Sequence, residues 1–169
     1  MGEERLRARR VIDAAFLDHF RTTVDRAADR LAAIAGVDAS RRPSPGKWSA
    51  KEIIGHLIDS ASNNHGRFVR AQLCDDLVFE GYDQDAWVRV QRYQERPWPD
   101  LVGLWQTYNH HIANLMESAD AEALERPRAR HNLHRLGWQP IAESEPATLA
   151  WFMRDYVGHL EHHLRQIFP

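Results

Sequence analysis

Three histidines raise the chemical question: His56, and far downstream His159 and His163, one helical turn apart. Neutral imidazole is a borderline ligand that suits zinc, nickel, copper or iron. An i, i+4 pair on one helix face can converge on a single ion, and a third histidine from another helix completes three protein ligands. Three ligands leave room for water or substrate, the pattern of a catalytic rather than a structural zinc site. A water held there would have a lowered pKa and could act as nucleophile or base. Spacing alone is modest evidence, because a His-x3-His pair on a helix is more often solvated or core-satisfied than metallated. The run His159-Leu160-Glu161-His162-His163 is not a zincin motif, which needs Glu directly after the first histidine.

These side chains need helices to carry them. Four long helical segments are expected, and no alternating strand. The first runs from about Val11 to Ala35, with Phe16, Phe20, Val24, Ala27 and Leu31 at three- and four-residue spacing, and Gly36 stops it. The second opens on a capping box, with Ser49 as N-cap and Glu52 three residues on, and continues through His56 and Phe68 to about Leu73. The third opens at Pro99 or Asp100 and runs to about Met116. The last begins near Pro146, a residue suited to a first-turn position, and runs to the C-terminus. Two long connections, 75–99 and 120–145, lie between the later helices. Such connections are unusual unless they are functional or hold short elements of their own. Short antiparallel hairpins would not need them, so an all-α four-helix bundle with one or two long crossover connections is expected.

Advancing about 100° per residue from His56 places Glu52, Asp59, Ser60, Asn63 and Arg67 within about 60° of it. This polar stripe flanks an apolar face of Ile54, Leu57, Ala61 and Phe68. On the last helix Leu149, Met153, Val157, Leu160 and Leu164 form the buried face, and His159 and His163 flank it about 40° apart. His162, roughly 100° from His163, should point elsewhere. The two flanks can meet across a groove. Arg67 lies about 16 Å beyond His56 along the helix, too far to touch the ion. It is placed to grip the anionic end of an extended ligand, or else to pair with Asp59, Asp155 or another nearby acid. Asn63 reads equally as a ligand donor and as a solvated side chain, and Glu52 as a capping group.

Tyr82 and Trp87, on the first long connection, could close the groove, since ligand-binding residues favour loops on a rigid scaffold; Trp87 could instead plug the bundle end. His110, His111, His131 and His134 share no spacing that makes a second metal site, although His131 and His134 could cover the groove. Cys74 reads as a helix-end packing residue.

The 169 residues fit one domain, and with 43% hydrophobic residues the chain can bury a real core. A formal net charge of −2 gives no reason to expect nucleic acid or an anionic membrane as partner, which makes a DNA-binding regulator the weakest reading. The basic start, Arg5, Arg7, Arg9 and Arg10, reads as a solvated or frayed helix start. No apolar run of about 18 residues and no secretory h-region are present. The single cysteine rules out an internal disulfide, and a reducing, cytoplasmic setting is expected.

Three segments resemble the DinB/YfiT-like family of metal-binding four-helix bundles. Pro45-Gly46-Lys47-Trp48-Ser49-Ala50-Lys51-Glu52-Ile53-Ile54-Gly55-His56-Leu57 is similar to the family's Trp-Ser…Glu…His-Leu opening of the second helix. Tyr82-Asp83-Gln84-Asp85-Ala86-Trp87 is similar to a segment after that helix in one branch. Tyr156-Val157-Gly158-His159-Leu160-Glu161-His162-His163 resembles the terminal His-x3-His helix. The resemblance runs from about residue 45 to the C-terminus. It implies up-down-down-up topology, a site of His56, His159 and His163 for zinc or nickel, and frequent homodimers. It also implies activities that include metal-dependent hydrolysis and transfer to a low-molecular-weight thiol. The expectation is therefore a metal-dependent enzyme acting on a small-molecule substrate through one divalent metal ion, with a low-molecular-weight thiol as a second candidate cofactor. Its catalytic group would be a metal-activated water or thiol, and Asn63, Arg67, Tyr82 and Trp87 are the expected substrate-binding residues. The alternative is a non-catalytic metal-holding dimer that binds a small ligand or a protein partner.

Overall fold

Three of the four long helices start where a side chain satisfies a backbone N–H that the helix itself cannot. In the computed structural model, which describes residues 12–168, Asp13 accepts from Phe16 N to open α1, Ala14–Ala32. Val11 and the basic residues Arg5, Arg7, Arg9 and Arg10 lie outside the described residues. Gly36 does not simply stop this helix. Ala35 is extended, and Gly36–Ala39 forms one further turn, α2, anchored by the fully buried Ala39. Ser49 and Glu52 make the expected capping box, and α3 runs Ala50–Leu73.

The first long connection holds α4, Gln84–Gln91, and a 3-10 turn, Tyr93–Glu95. Helix α5, Trp98–Glu117, starts after Pro97, slightly earlier than Pro99 suggests. The second connection holds α6, Ala121–Glu125, and α7, Leu133–Leu136. The last helix, α8, runs Leu149–Ile167 and starts after Pro146 rather than at it. Residue 147 is drawn into backbone bonds with Arg128, in both directions at 2.8 and 3.1 Å, and Thr148 then supplies the cap by accepting from Trp151 N. Among the described residues the only β structure is two isolated bridges, Leu77 to His131 and Arg128 to Ala147.

Side-chain contacts fix the directions of the helices. Arg21 reaches Asn114 and Glu117 while Trp98 Nε1 donates to Leu31 O, so α1 and α5 are antiparallel. Lys51 meets Gln94 and His65 meets Tyr108, so α3 runs parallel to α5. Phe68 packs edge-on against Phe152 while His56 meets His159, so α8 is antiparallel to α3. Arg154 lies over Phe16 and Arg30 over Phe168, which makes α8 parallel to α1. The result is up-down-down-up. The parallel pair α3 and α5 cannot be joined by a hairpin, which is why the first long connection exists. Each connection also braces the other: Leu77 N donates to Arg130 O and Asn132 N to Leu77 O. The buried Arg128 donates to the carbonyls of Ala71, Ala123 and Arg126, tying the end of α3 to the second connection. No helix among the described residues is long and apolar enough to cross a membrane.

Candidate metal centre and cavity

Helix α3 carries His56 into the bundle between Ile54 and Leu57, both essentially buried. Helix α8 carries His159 and His163 towards it from the opposite direction. Ligand-capable atoms of the three rings lie within 4.8 Å of one another, the one such group of three or more metal-ligating residues among the described residues. The Nε2 atoms of His56 and His159 are 3.3 Å apart. Ring centroids are separated by 5.2 Å for His56–His159, 4.7 Å for His56–His163 and 4.6 Å for His159–His163. As the 100° offset requires, His162 turns away, its ring against Trp138 and Gln166.

Burial decides the protonation of this cluster. Loss of solvation pushes His56 and His159 down to about 3, and the neighbouring rings add repulsion between would-be cations. His163 is also lowered, although Gln166 partly offsets the effect. All three are neutral at physiological pH, the form that binds metal. The Nδ1 of His163 faces Gln166 Oε1 at 3.3 Å, which leaves Nε2 as its free lone pair. His56 Nδ1 is buried without a hydrogen-bond partner. Three neutral nitrogen donors converging in a low-dielectric pocket, with no acid among them, fit a borderline divalent cation well.

One flank of the trio is closed and another is open. Trp48, just before the α3 cap, lies over His56 and His163 with centroids at 5.1 and 6.3 Å. On the other side a cavity of about 390 Å³ reaches His56 and His159. Its walls include Ser60, Asn64 and Arg67 of α3 and Phe152, Asp155 and Tyr156 of α8. Residues 135–138 and 81–82 complete it from the two long connections. Asp155 holds the second connection in place by accepting from Trp138 N at 2.9 Å and Gln139 N at 2.7 Å. Trp138 then rests against Gly158, where an added Cβ would come within 3.0 Å of its ring.

Of the four expected substrate-binding residues, Arg67 and Tyr82 line this cavity. Asn63 instead donates to Asp59 O on its own helix, and Trp87 is 38% exposed, tilted against Tyr82 with ring centroids 4.8 Å apart. Arg67 makes none of the ion pairs that its position on the helix allowed. Glu52 is a cap, as its spacing indicates, and it also binds Arg42. Asp59 accepts from Tyr93 and Gln91, on the far side of the stripe.

His110 pairs with Asp25, His131 meets Glu145 O through Nε2, and His134 stands near Glu143. None of these makes a second three-residue metal cluster among the described residues. His131 holds the second connection together rather than covering the cavity. Cys74 is exposed and caps α3, so it is not packed as expected. Sequence reasoning assigned no role to Trp48, Asn64, Arg135 or Trp138. Trp48 was detectable from its place beside the cap, whereas the others depend on which way the long connections fold.

Comparison with known proteins agrees with this architecture. A protein of Oceanobacillus iheyensis, provisionally named as a metal-dependent hydrolase, is 22% identical over 152 residues, which is 90% of this chain and 81% of that one. The structure is similar to that of YfiT from Bacillus subtilis, described as a probable metal-dependent hydrolase with an unusual four-helix bundle topology. The TM-score is 0.70 at 18% identity, covering 94% of this chain and 87% of YfiT. The pattern of the DinB superfamily matches residues 19–167, from the first helix through the terminal histidines, and the chain belongs to that superfamily.

Proposed function

We propose that this protein is a metal-dependent enzyme whose single divalent ion, zinc or nickel, is held by His56, His159 and His163, and that it acts on a small molecule bound in the adjoining cavity. The observation that carries the reading is the asymmetry of the trio: three neutral imidazoles converge, Trp48 covers one side, and a cavity opens on another. A purely structural site would be expected to close its fourth position with protein. The hydrolase names of the two similar proteins support the same reading.

A divalent ion bound there supplies a Lewis acid that lowers the pKa of a water or a thiol at the open position, so hydrolysis and transfer to a low-molecular-weight thiol use one device. The chain's own contribution is positional. Helices α3 and α8 fix the three rings, Trp48 excludes water from the closed side, and Asp155 anchors the segment that covers the cavity. A homodimer in which each chain keeps its own site belongs to the same proposal.

Protein purified without chelators should carry close to one equivalent of zinc or nickel by elemental analysis. His159→Ala and His163→Ala should each lose it while keeping their helical content. Unchanged metal in both variants would reject the assignment. Light scattering on the same samples tests the dimer.

A further inference from the structure

The cavity beside the three histidines contains a charge that its own residues leave unbalanced. Arg67 is only 5% exposed, yet no carboxylate among the described residues lies within ion-pairing distance of it. Its Nη2 donates to the carbonyl of Glu80 at 2.6 Å, and Nη1 lies 3.5 Å from Asn64 Oδ1. Two neutral acceptors therefore serve a group with five donors and a full positive charge. Buried charges are normally paired, because desolvation is costly without a counter-charge. The ionisable groups that bear on Arg67 are Tyr82 and Arg70, not an acid.

The rest of the cavity does not supply the missing anion. Arg135, which is exposed, lines it as a second guanidinium and pairs with no carboxylate among the described residues. Asp155 is the one acid in the lining; its oxygens accept from the N–H groups of Trp138 and Gln139 rather than from Arg67, and two guanidiniums face this one carboxylate. An ion on the three histidines would make the cavity more positive still. Phe152, Trp138 and Tyr156 give it an aromatic wall suited to a carbon chain.

We propose that the cavity takes an extended organic acid, its carboxylate gripped by Arg67 and assisted by Arg135, with its reactive end beside His56 and His159. A carboxylate suits the remaining donors, because a planar guanidinium fork matches its two oxygens. The helical rise of about 16 Å between the His56 and Arg67 backbones, with both side chains lining one cavity, suits an extended ligand. The proposal rests on the metal-centred reading for the position of the reactive end only.

The test uses cobalt-loaded protein, whose visible absorption reports thiolate binding, and two thiols of equal length: 6-mercaptohexanoate and 6-mercaptohexanol. Wild type should bind the acid about tenfold or more tightly than the alcohol, the scale of a charged hydrogen bond. That preference should nearly vanish in Arg67→Met and shrink in Arg135→Gln. Should Arg67→Met fail to fold, Arg67→Lys takes its place; it keeps the charge but loses the fork, and an intermediate preference is expected. Equal affinities in wild type, a full preference that survives in Arg67→Met, or one left undiminished in Arg67→Lys, would overturn the proposal. If neither thiol alters the cobalt spectrum, the placing of the reactive end at the ion fails, while the metal-centred reading stands or falls by the elemental analysis above. The anion site is then decided by calorimetry with hexanoate against hexanol: an acid preference abolished at Arg67 upholds it, and no preference overturns it.

Discussion

At the scale of single residues, burial makes the histidines useful. An exposed imidazole is partly cationic near neutrality, but His56 and His159 take up the second, charging proton only at about pH 3. The linkage has a definite sign. The unfolded chain takes up protons below its ordinary histidine value of 6.5, whereas the folded state does not until about 3. Stability of the metal-free protein is therefore fully present above pH 6.5 and lost as pH falls towards 3. The slope contributed by each histidine is at most about 1.4 kcal/mol per pH unit. Urea unfolding of the metal-free protein across this range should show the decline, and the double variant His56→Gln with His159→Gln should flatten it. An equally steep profile in the double variant would assign the acid sensitivity to other groups.

At the scale of elements, one glycine shows how closely the first long connection is bound to α3. A Cβ on Gly55 would lie 2.1 Å from Tyr93 Cδ2, so only glycine lets the 3-10 turn sit against the helix. Tyr93 uses that position to donate to Asp59 Oδ1 at 2.7 Å. Gly55→Ala should destabilise the fold by about 1–3 kcal/mol through overpacking. Gly103, in α5, has nothing within 4 Å of an added Cβ, and there alanine should stabilise by up to about 1 kcal/mol. Denaturant melts of the two variants should shift in opposite directions. A shared direction would mean that the Tyr93 contact does not limit packing at Gly55.

At the scale of the whole molecule, the three-histidine cluster lies on one helix pair while the core spans all four long helices. Fully buried side chains such as Phe20, Leu31, Trp105, Ile112 and Leu149 belong to one apolar cluster that draws on all four long helices. The apolar core supplies its own stability, of the order of 25 cal/mol per Å² buried, independently of any ion. Chelation should therefore leave the far-ultraviolet circular dichroism unchanged at room temperature while lowering the melting temperature. Unfolding on chelation would show that the ion holds the fold together, and the case for an open reactive position would lose most of its support.

Much of this was legible in the sequence because it is local. The capping box at Ser49 and Glu52, the apolar stripes of α3 and α8, and the separation of His162 from His163 all follow from helical geometry over a few residues. Helical geometry also put Asn63, Arg67, Ser60 and Asp59 on the same flank as His56. It could not say that the cavity opens towards Ser60, Asn64 and Arg67, leaving Asp59 and Asn63 outside its lining. That choice depends on where residues 81–82 and 135–138 pack, and it follows from contacts between segments far apart in the chain. Whether Arg67 would find an acid was undecidable for the same reason: Asp59 lies two turns back on its own helix and Asp155 on another, and only their packing decides which of these or other acids it meets. Tertiary packing gave Asp59 to Tyr93 and Asp155 to the backbone of Trp138 and Gln139, and left Arg67 facing the cavity without a counter-charge.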